Sequence, residues 1–303
     1  MSTSSGPVLI TGCSSGIGLA TATRLIERGY PVYATARRAE TLEALERRGA
    51  VVLGLDVTDE DSARVAVKRV EADHGRVGTL INNAGYGEYG PVETVPLAAA
   101  RAQFETNLFG LARMCQLVLP GMRAAGTGRI VNVSSVGGRI TFPGGGFYNA
   151  SKFAVESLSD ALRFEVEPFG ISVVVVEPNL IRHTRFDAHV AESLQRNAPE
   201  DSPYRHLRRA MLDQLRMCFE TDSMSVTPET VAATIERVLG EARPRTRYVV
   251  SRNGRFLVRL RWALSDRAFD RALRKQFGLD DAGVYNGRYA RAEPGGPNSG
   301  RNG

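Results

Sequence analysis

Cysteine and histidine are scarce in this 303-residue chain, and they stand apart from one another. Cys13, Cys115 and Cys218 have no metal-ligand spacing, either among themselves or with His74, His183, His189 and His206. That argues against a metal centre and leaves free thiols suited to a reducing compartment. Long apolar runs are also missing. No stretch approaches the roughly 18 to 20 uninterrupted apolar residues of a membrane-spanning helix. The opening MSTSSGPVLITG lacks the basic region and apolar core of a secretory signal, so a cytoplasmic location is expected. There are no internal repeats. What remains is the composition of a soluble globular protein, 43% hydrophobic and 24% charged.

The net charge of +6 is uneven. From Arg243 onward there are 14 Lys+Arg against 5 Asp+Glu, whereas residues 1–242 carry a net charge of −3. A basic chain invites a nucleic-acid partner, but no zinc-finger, basic-zipper or RNA-recognition sequence accompanies the charge, and no nucleic acid is expected.

Short β-branched runs alternate with helix-length amphipathic stretches. VLIT (8–11), VYATA (32–36), VVLGLDV (51–57), VGTLINN (77–83), RIVNVSS (129–135), ISVVVVEP (171–178) and RYVV (247–250) read as strands. Helices are expected over 16–28, 40–48, 59–73, 101–124 and 148–167, and over TPETVAATIERVLG with Thr227 as N-cap and Pro228 in the first helical position. Continuous apolar strands suit a parallel sheet buried on both faces, and the alternation implies an α/β, Rossmann-type doubly wound sheet. The Gly-, Ser- and Pro-rich ends, 1–6 and 286–303, read as disordered. Between them lie a single domain over 7–250 and a C-terminal helical extension over 251–285.

The run VLITGCSSGIGLA places Gly12, Gly16 and Gly18 between the first strand and the first helix. Glycines there let the backbone turn tightly and approach a pyrophosphate, which the N–H groups of the helix N-terminus would meet. The spacing is G-x-x-x-G-x-G, and it lacks the Gly-Lys-Ser/Thr of a P-loop. Further on, PGGGFYNASKF pairs Tyr148 with Lys152 four residues later, on one face of a helix. A free phenol and a free ammonium both titrate near pH 10. Set side by side, the ammonium favours the phenolate and draws the tyrosine towards working pH.

T-G-x-x-x-G-x-G resembles the signature of the short-chain dehydrogenase/reductase superfamily, in its soluble branch of roughly 250 residues. The resemblance continues in order through DVT at Asp56, NNAG at 82–85, ETNLFG around Asn107, IVNVSS ending at Ser135 and YNASK at 148–152, and covers residues 8 to about 250. It implies an oxidoreductase in which Asn107, Ser135, Tyr148 and Lys152 form a catalytic tetrad. Tyr148 would exchange a proton with the substrate, Lys152 would hold the ribose, Ser135 the substrate oxygen, and Asn107 a water. It also implies that Asp56 and Val57 contact adenine and that Asn83 lies beside the adenosine ribose. Ser14, Ser15, Ile17, Ala84, Gly85, Pro178 and Ile181 would complete the cofactor site.

At the end of the second strand, where an NAD site carries a carboxylate, the chain reads Ala36, Arg37, Arg38. Arginine pairs with a 2′-phosphate, so NADP(H) is favoured, with Arg37 its main contact. One departure from the family pattern follows the sixth strand, where EPNLIRHTRF has Asn179 in place of a glycine. Thr184 sits one residue later than the family's cofactor-contacting threonine, leaving open whether His183 or Thr184 meets the nicotinamide.

The segment 182–225 interleaves Phe186, Met211, Leu215, Met217 and Phe219 with charges. It reads as an amphipathic helix, either plain core or an apolar lid over a lipophilic ketone or alcohol. Several stretches look most like the steroid and retinol dehydrogenase side of the superfamily. In the C-terminal extension, Phe256, Leu260 and Leu264 share one face and Phe269, Leu273 and Phe277 another, with Ser265 capping the second helix. These faces suit packing on the protein, on a second subunit of a homo-oligomer, or on a membrane surface through 252–277. The rival reading of the whole chain is an NADP-binding regulator of the same fold without turnover, which would have no need of Ser135, Tyr148 and Lys152 together.

Overall fold

The β-branched runs become neighbouring strands because each is apolar on both faces. The computed structural model describes residues 6–182, 184–220 and 225–279, the side chains of 218–220 excepted. Its strands are β1 (Val8–Ile10), β2 (Val32–Ala36), β3 (Val51–Gly54), β4 (Thr79–Asn82), β5 (Gly128–Val133), β6 (Ile171–Glu177) and β7 (Arg247–Val249). They form one parallel sheet in the order β3-β2-β1-β4-β5-β6-β7. Helices α1 (Gly16–Glu27), α2 (Glu43–Glu46), α3 (Glu60–His74), α4 (Leu97–Phe104), α5 (Leu111–Ala124), α6 (Gly146–Val166), α7 (Arg185–Asn197), α8 (Arg205–Glu220) and α9 (Pro228–Gly240) connect them, and α10 (Arg252–Ala263) and α11 (Asp266–Gln276) follow β7.

Successive strand residues point to opposite faces, and the core divides accordingly. Val8 and Ile10 pack with Ala22 and Leu25 of α1 and with Val231 and Ile235 of α9. Leu9, between them, packs on the other face with Val67 of α3, Met114 of α5 and Val155 of α6. The thiols of Cys13 and Cys115 are free and buried, one in each layer, and burial raises both to about 12. The chain leaves β1 towards β2 but leaves β4 towards β5, so the loops after these adjacent strands diverge. A crevice opens between them at the carboxyl ends of the strands, where a doubly wound sheet binds its ligands.

Several elements differ from the sequence reading. β3 ends at Gly54, opposite Ala36 at the end of β2, and Leu55–Val57 run on towards the crevice. β5 likewise stops at Val133, and Ser135 instead caps a short 3-10 turn over Val136–Gly138. The helix expected over 101–124 starts at Leu97 and contains a π-helical turn over Glu105–Gly110. The lid segment forms two helices, α7 and α8, interrupted around Pro199 and Pro203, where the missing N–H groups break the ladder. Thr227 does occupy the N-cap position of α9, with Pro228 following it. Most of the expected disordered ends lies outside the described residues, which begin at Gly6 and end at Leu279. No helix among the described residues is long and apolar enough to cross a membrane.

A third apolar cluster lies over the carboxyl end of the sheet. It joins Tyr89, Val136, Ile140 and Tyr148 to Val190 and Leu194 of α7, Met211 of α8, Val258 of α10, and Phe269, Leu273 and Phe277 of the α11 segment. The face Phe269, Leu273, Phe277 therefore turns inward as expected. The face Phe256, Leu260, Leu264 does not act as a unit: Leu257, Val258 and Leu264 pack on the cluster, whereas Phe256 is 63% exposed.

Burying one such apolar side chain stabilises a fold by roughly 1.5–3 kcal/mol. Four of them are comparable with the roughly 5–15 kcal/mol that separates folded from unfolded protein. A chain ending at Val250 is thus expected to lose its cooperative thermal transition or to aggregate. A truncated chain that melts like the full one would show that the C-terminal helices are dispensable to the core.

Candidate active site

The glycine loop has the shape its residues require. Gly12 and Gly16 have φ of +74° and +56°, in the left-handed region that favours glycine. A Cβ on Gly18 would lie 2.2 Å from the Gly12 carbonyl oxygen and 2.6 Å from Asn83 Nδ2, so the helix can approach the loop only without a side chain there. The loop is tied to the strand beside it. Asn83 Nδ2 donates to the carbonyls of Thr11 (2.9 Å) and Gly12 (3.0 Å), and Thr11 Oγ1 accepts from the backbone N–H of Asn83 (3.0 Å) and Ala84 (2.9 Å). The first turn of α1 carries no acidic residue, and the Ser15 hydroxyl makes no capping bond. The N–H groups of that turn are left for an anion, and a pyrophosphate fits this cradle.

Gly12, Ser14, Ser15, Gly16 and Ile17 line one end of a cavity of about 1160 Å³. Arg37, Asp56, Val57, Asn83, Ala84, Gly85, Pro178, Ile181 and Thr184 line it too. Gly18 does not; its contribution is the close packing behind the loop. At the rim, Ala36 brings no carboxylate. Arg37 is exposed there without a hydrogen-bond or ion-pair partner among the described residues, and near enough to Tyr86 for its charge to favour the phenolate. Arg38 points away, 74% exposed and 4.0 Å from Glu40. Asp56 Oδ1 accepts from the Thr58 N–H (2.9 Å) and hydroxyl (2.7 Å), which holds the DVT turn in place. Thr184 caps α7 by accepting from the Phe186 N–H (3.3 Å), and its methyl carbon lies 3.4 Å from where a Cβ on Gly16 would be. His183 lies outside the described residues.

Ser135, Tyr148 and Lys152 meet on the cavity wall. Ser135 stands at the end of the β5 run, and Tyr148 and Lys152 are one turn apart on α6, both buried. The site is tight: a Cβ on Gly137 would lie 3.3 Å from Ser135 Oγ and 3.4 Å from the Tyr148 ring. Ser135 Oγ accepts from the Gly137 N–H (3.0 Å). Lys152 Nζ donates to the Val133 carbonyl (3.0 Å).

Electrostatics correct one sequence expectation. Burial pushes the Tyr148 phenol up to about 12, opposed by a hydrogen bond to Ser135, and Lys152 is not among the causes of the shift. Burial brings Lys152 down to about 8, opposed by the Glu156 carboxylate one turn further along α6. In the low-dielectric wall, desolvation of both charged forms outweighs their mutual attraction.

Asn107 is buried in the π-helical turn behind the wall and does not line the cavity. Its carboxamide accepts from the Tyr86 N–H (3.0 Å) and donates to the Tyr86 carbonyl (2.9 Å) and to Ser151 Oγ (3.0 Å). Ser151 in turn donates to the Tyr148 carbonyl (2.7 Å). The side chain thus positions Tyr86 and the first turn of α6.

Aromatic rings roof the wall. Tyr148 has Tyr89 at 5.3 Å and Phe186 at 5.4 Å between ring centroids, and Tyr89 and Phe186 meet edge to face. Phe142, Met211, Leu215, Leu257 and Phe277 extend the apolar lining. Of the expected lid residues, Phe186, Met211 and Leu215 face the cavity. Met217 is 45% exposed on the outer side, and the Phe219 side chain is outside the described residues.

The profile of the short chain dehydrogenases matches residues 7–195. The chain belongs to the short-chain dehydrogenase family. It is an oxidoreductase of that family. It is 47% identical over 172 residues to a 3-ketodihydrosphingosine reductase of Bacteroides thetaiotaomicron, a match covering 56% of this chain and 62% of that protein, less than two thirds of its length. It is 35% identical over 272 residues to human 17-beta-hydroxysteroid dehydrogenase type 1, covering 86% and 81% of the two chains. A short-chain dehydrogenase from Streptomyces avermitilis superposes with a TM-score of 0.74 at 32% identity, covering 92% of this chain and 97% of that one. Two further solved structures differ in cofactor. A serine dehydrogenase holds NADP+ (TM-score 0.69, 26% identity, 80% and 93% covered), and a Burkholderia phymatum protein holds NAD (TM-score 0.73, 26% identity, 87% and 95% covered).

Several residues of this short-chain dehydrogenase site escaped the sequence reading. Thr11 was visible in the T-G pair of the loop motif. Ser151 and Glu156 had no signal beyond standing beside Lys152 and one turn beyond it. Glu88 is buried on the cavity wall and accepts from Arg196 Nη2 (2.6 Å) and Asn197 Nδ2 (2.7 Å) of α7, more than 100 residues away in sequence, a pairing that no local pattern discloses.

Proposed function

We propose that this protein is an NADP(H)-dependent oxidoreductase that interconverts a ketone or aldehyde and an alcohol in a lipophilic substrate. The observation that carries the reading is the meeting of Ser135, Tyr148 and Lys152 on one wall of a cavity whose other end is the glycine cradle. A nicotinamide bound there supplies hydride to the substrate carbon, or accepts it in the reverse direction. The remaining work falls to the chain. Ser135 holds the substrate oxygen and stabilises charge developing on it. Tyr148, a phenol held protonated through neutral pH, gives that oxygen its proton in reduction and takes it back in oxidation. Lys152 holds the ribose and stabilises the phenolate formed when the proton leaves. Asn107 acts through Tyr86 and Ser151 as a positioning residue.

Arg37 supports the choice of NADP(H). It is a cation without a partner among the described residues at the cavity rim, next to a strand end with no carboxylate, where a 2′-phosphate would find a charge-assisted contact. NADPH is expected to bind roughly tenfold or more tightly than NADH. The double change Ala36→Asp with Arg37→Ala should reverse the order by adding repulsion as well as deleting attraction. Side-by-side titration checks this, and a wild type that prefers NADH contradicts it.

The substrate class is supported by the aromatic and aliphatic wall around Tyr148 and by relatives whose names specify ketosphingoid and steroid substrates. Across a series of ketones of increasing apolar bulk, kcat/KM is expected to rise with size. A preference for small polar ketones would count against the lipophilic reading.

A further inference from the structure

We propose that the outer face of α10 docks on anionic membrane surface. The helix contains Arg252, Arg255, Arg259 and Arg261 and no acidic residue. With about 3.6 residues per turn, Arg252, Arg255 and Arg259 fall in one row, flanked by Trp262 on one side and Phe256 on the other. All three arginines are exposed, as are Trp262 (77%) and Phe256 (63%). The inward face is already committed: Gly254 and Val258 are buried, and Leu257 and Leu264 pack on the third cluster. Arg261 is committed as well, paired with Asp266 and stacked on Phe269 at 5.3 Å. The two largest exposed aromatics of the segment thus have no role in the core.

A row of arginines edged by tryptophan and phenylalanine matches a lipid headgroup layer. The guanidinium groups meet anionic phosphates, and the rings reach the boundary of the acyl chains. A second copy fits this face poorly. A two-fold contact sets the same patch against itself, opposing arginine with arginine and no carboxylate of the helix between them. The opposite side of the same helix borders the cavity, because Asn253 and Leu257 of α10, with Gln276 and Phe277 beyond it, belong to the cavity wall. Docking in this orientation would leave only α10 between the active-site cavity and the bilayer, the phase in which a lipophilic substrate dissolves. That last consequence rests on the proposed function; the docking itself does not.

Co-sedimentation of the full chain with phosphatidylcholine vesicles, with and without phosphatidylglycerol, tests the proposal without any substrate. Binding is expected only to the anionic vesicles and should weaken steeply with salt. The variant Arg252→Gln/Arg255→Gln/Arg259→Gln should lose roughly a hundredfold in affinity. The variant Phe256→Ser/Trp262→Ser should lose roughly tenfold or more. Both alter exposed side chains, so their melting temperatures should match the wild type.

Absence of vesicle binding at low salt overturns the proposal, and so does binding that survives both variants. An oligomer that Phe256→Ser/Trp262→Ser dissolves in sedimentation velocity would assign the face to a second copy. Duplex DNA binding that needs the arginines but not the aromatics, without vesicle binding, would assign it to nucleic acid.

Discussion

Replacing Tyr148 with phenylalanine is expected to leave folding and NADPH affinity close to wild type while turnover falls by about 10² to 10⁴-fold. The substitution removes one hydroxyl from a ring that keeps its contacts with Tyr89 and Phe186. What is lost is the phenol on the cavity wall whose ionisation Ser135 favours. The direction of the pKa shift sharpens the expectation. Burial holds the phenol protonated, so in reduction it is already in its active form at neutral pH, and the reductive rate should not require acid conditions. Comparison of kcat and of nicotinamide affinity in the two proteins checks the prediction. Unchanged turnover in the variant would remove Tyr148 from the chemistry.

Lys152→Met should have two effects where Tyr148→Phe has one. Turnover should collapse, and NADPH should bind more weakly, because the ammonium is proposed both to hold the ribose and to stabilise the phenolate. The lysine also sets a pH limit. Its ammonium persists below about pH 8 and is lost above it, so wild-type reductive activity should fall as pH rises through that value. Stability runs the other way. The folded pKa of about 8 lies below the ordinary 10.5, so the unfolded chain binds the proton more tightly. The cost of burying the ammonium is full below pH 8 and fades as pH rises towards 10.5. The methionine variant escapes that cost and should melt no lower than wild type at pH 7. A variant that keeps wild-type cofactor affinity would contradict the ribose assignment.

The parts of this protein legible in its sequence are those decided within a few residues along the chain. Runs such as VYATA and ISVVVVE report their own burial on both faces, and the βα loop with its glycines reports the turn that only glycine permits. Tyr148 and Lys152 report their shared helical face. The rest depends on distant partners. Nothing near Arg37 and Arg38 says which one turns to the cavity; Glu40 takes the second. The carboxamide of Asn107 faces Tyr86 and Ser151 because a π-helical turn places it there, and a smooth amphipathic pattern conceals such a turn. Phe256 looks like core by spacing, yet the cluster beneath α10 is filled by Leu257, Val258 and Leu264. The pKa order at Tyr148 was hidden for the same reason. Adjacency of an ammonium can be read from i,i+4 spacing, but the depth of burial that outweighs it cannot.

The measurement that tests the account most directly is consumption of NADPH, followed at the nicotinamide absorbance band, by the purified wild-type protein against a panel of lipophilic ketones and aldehydes. The account predicts stoichiometric conversion of at least one carbonyl compound to its alcohol, at a rate that exceeds that of the Tyr148→Phe variant by about 10²-fold or more. Tight NADPH binding with no carbonyl or alcohol turned over in either direction across the panel would contradict it, and would leave a nucleotide-binding protein that keeps the fold without the reaction.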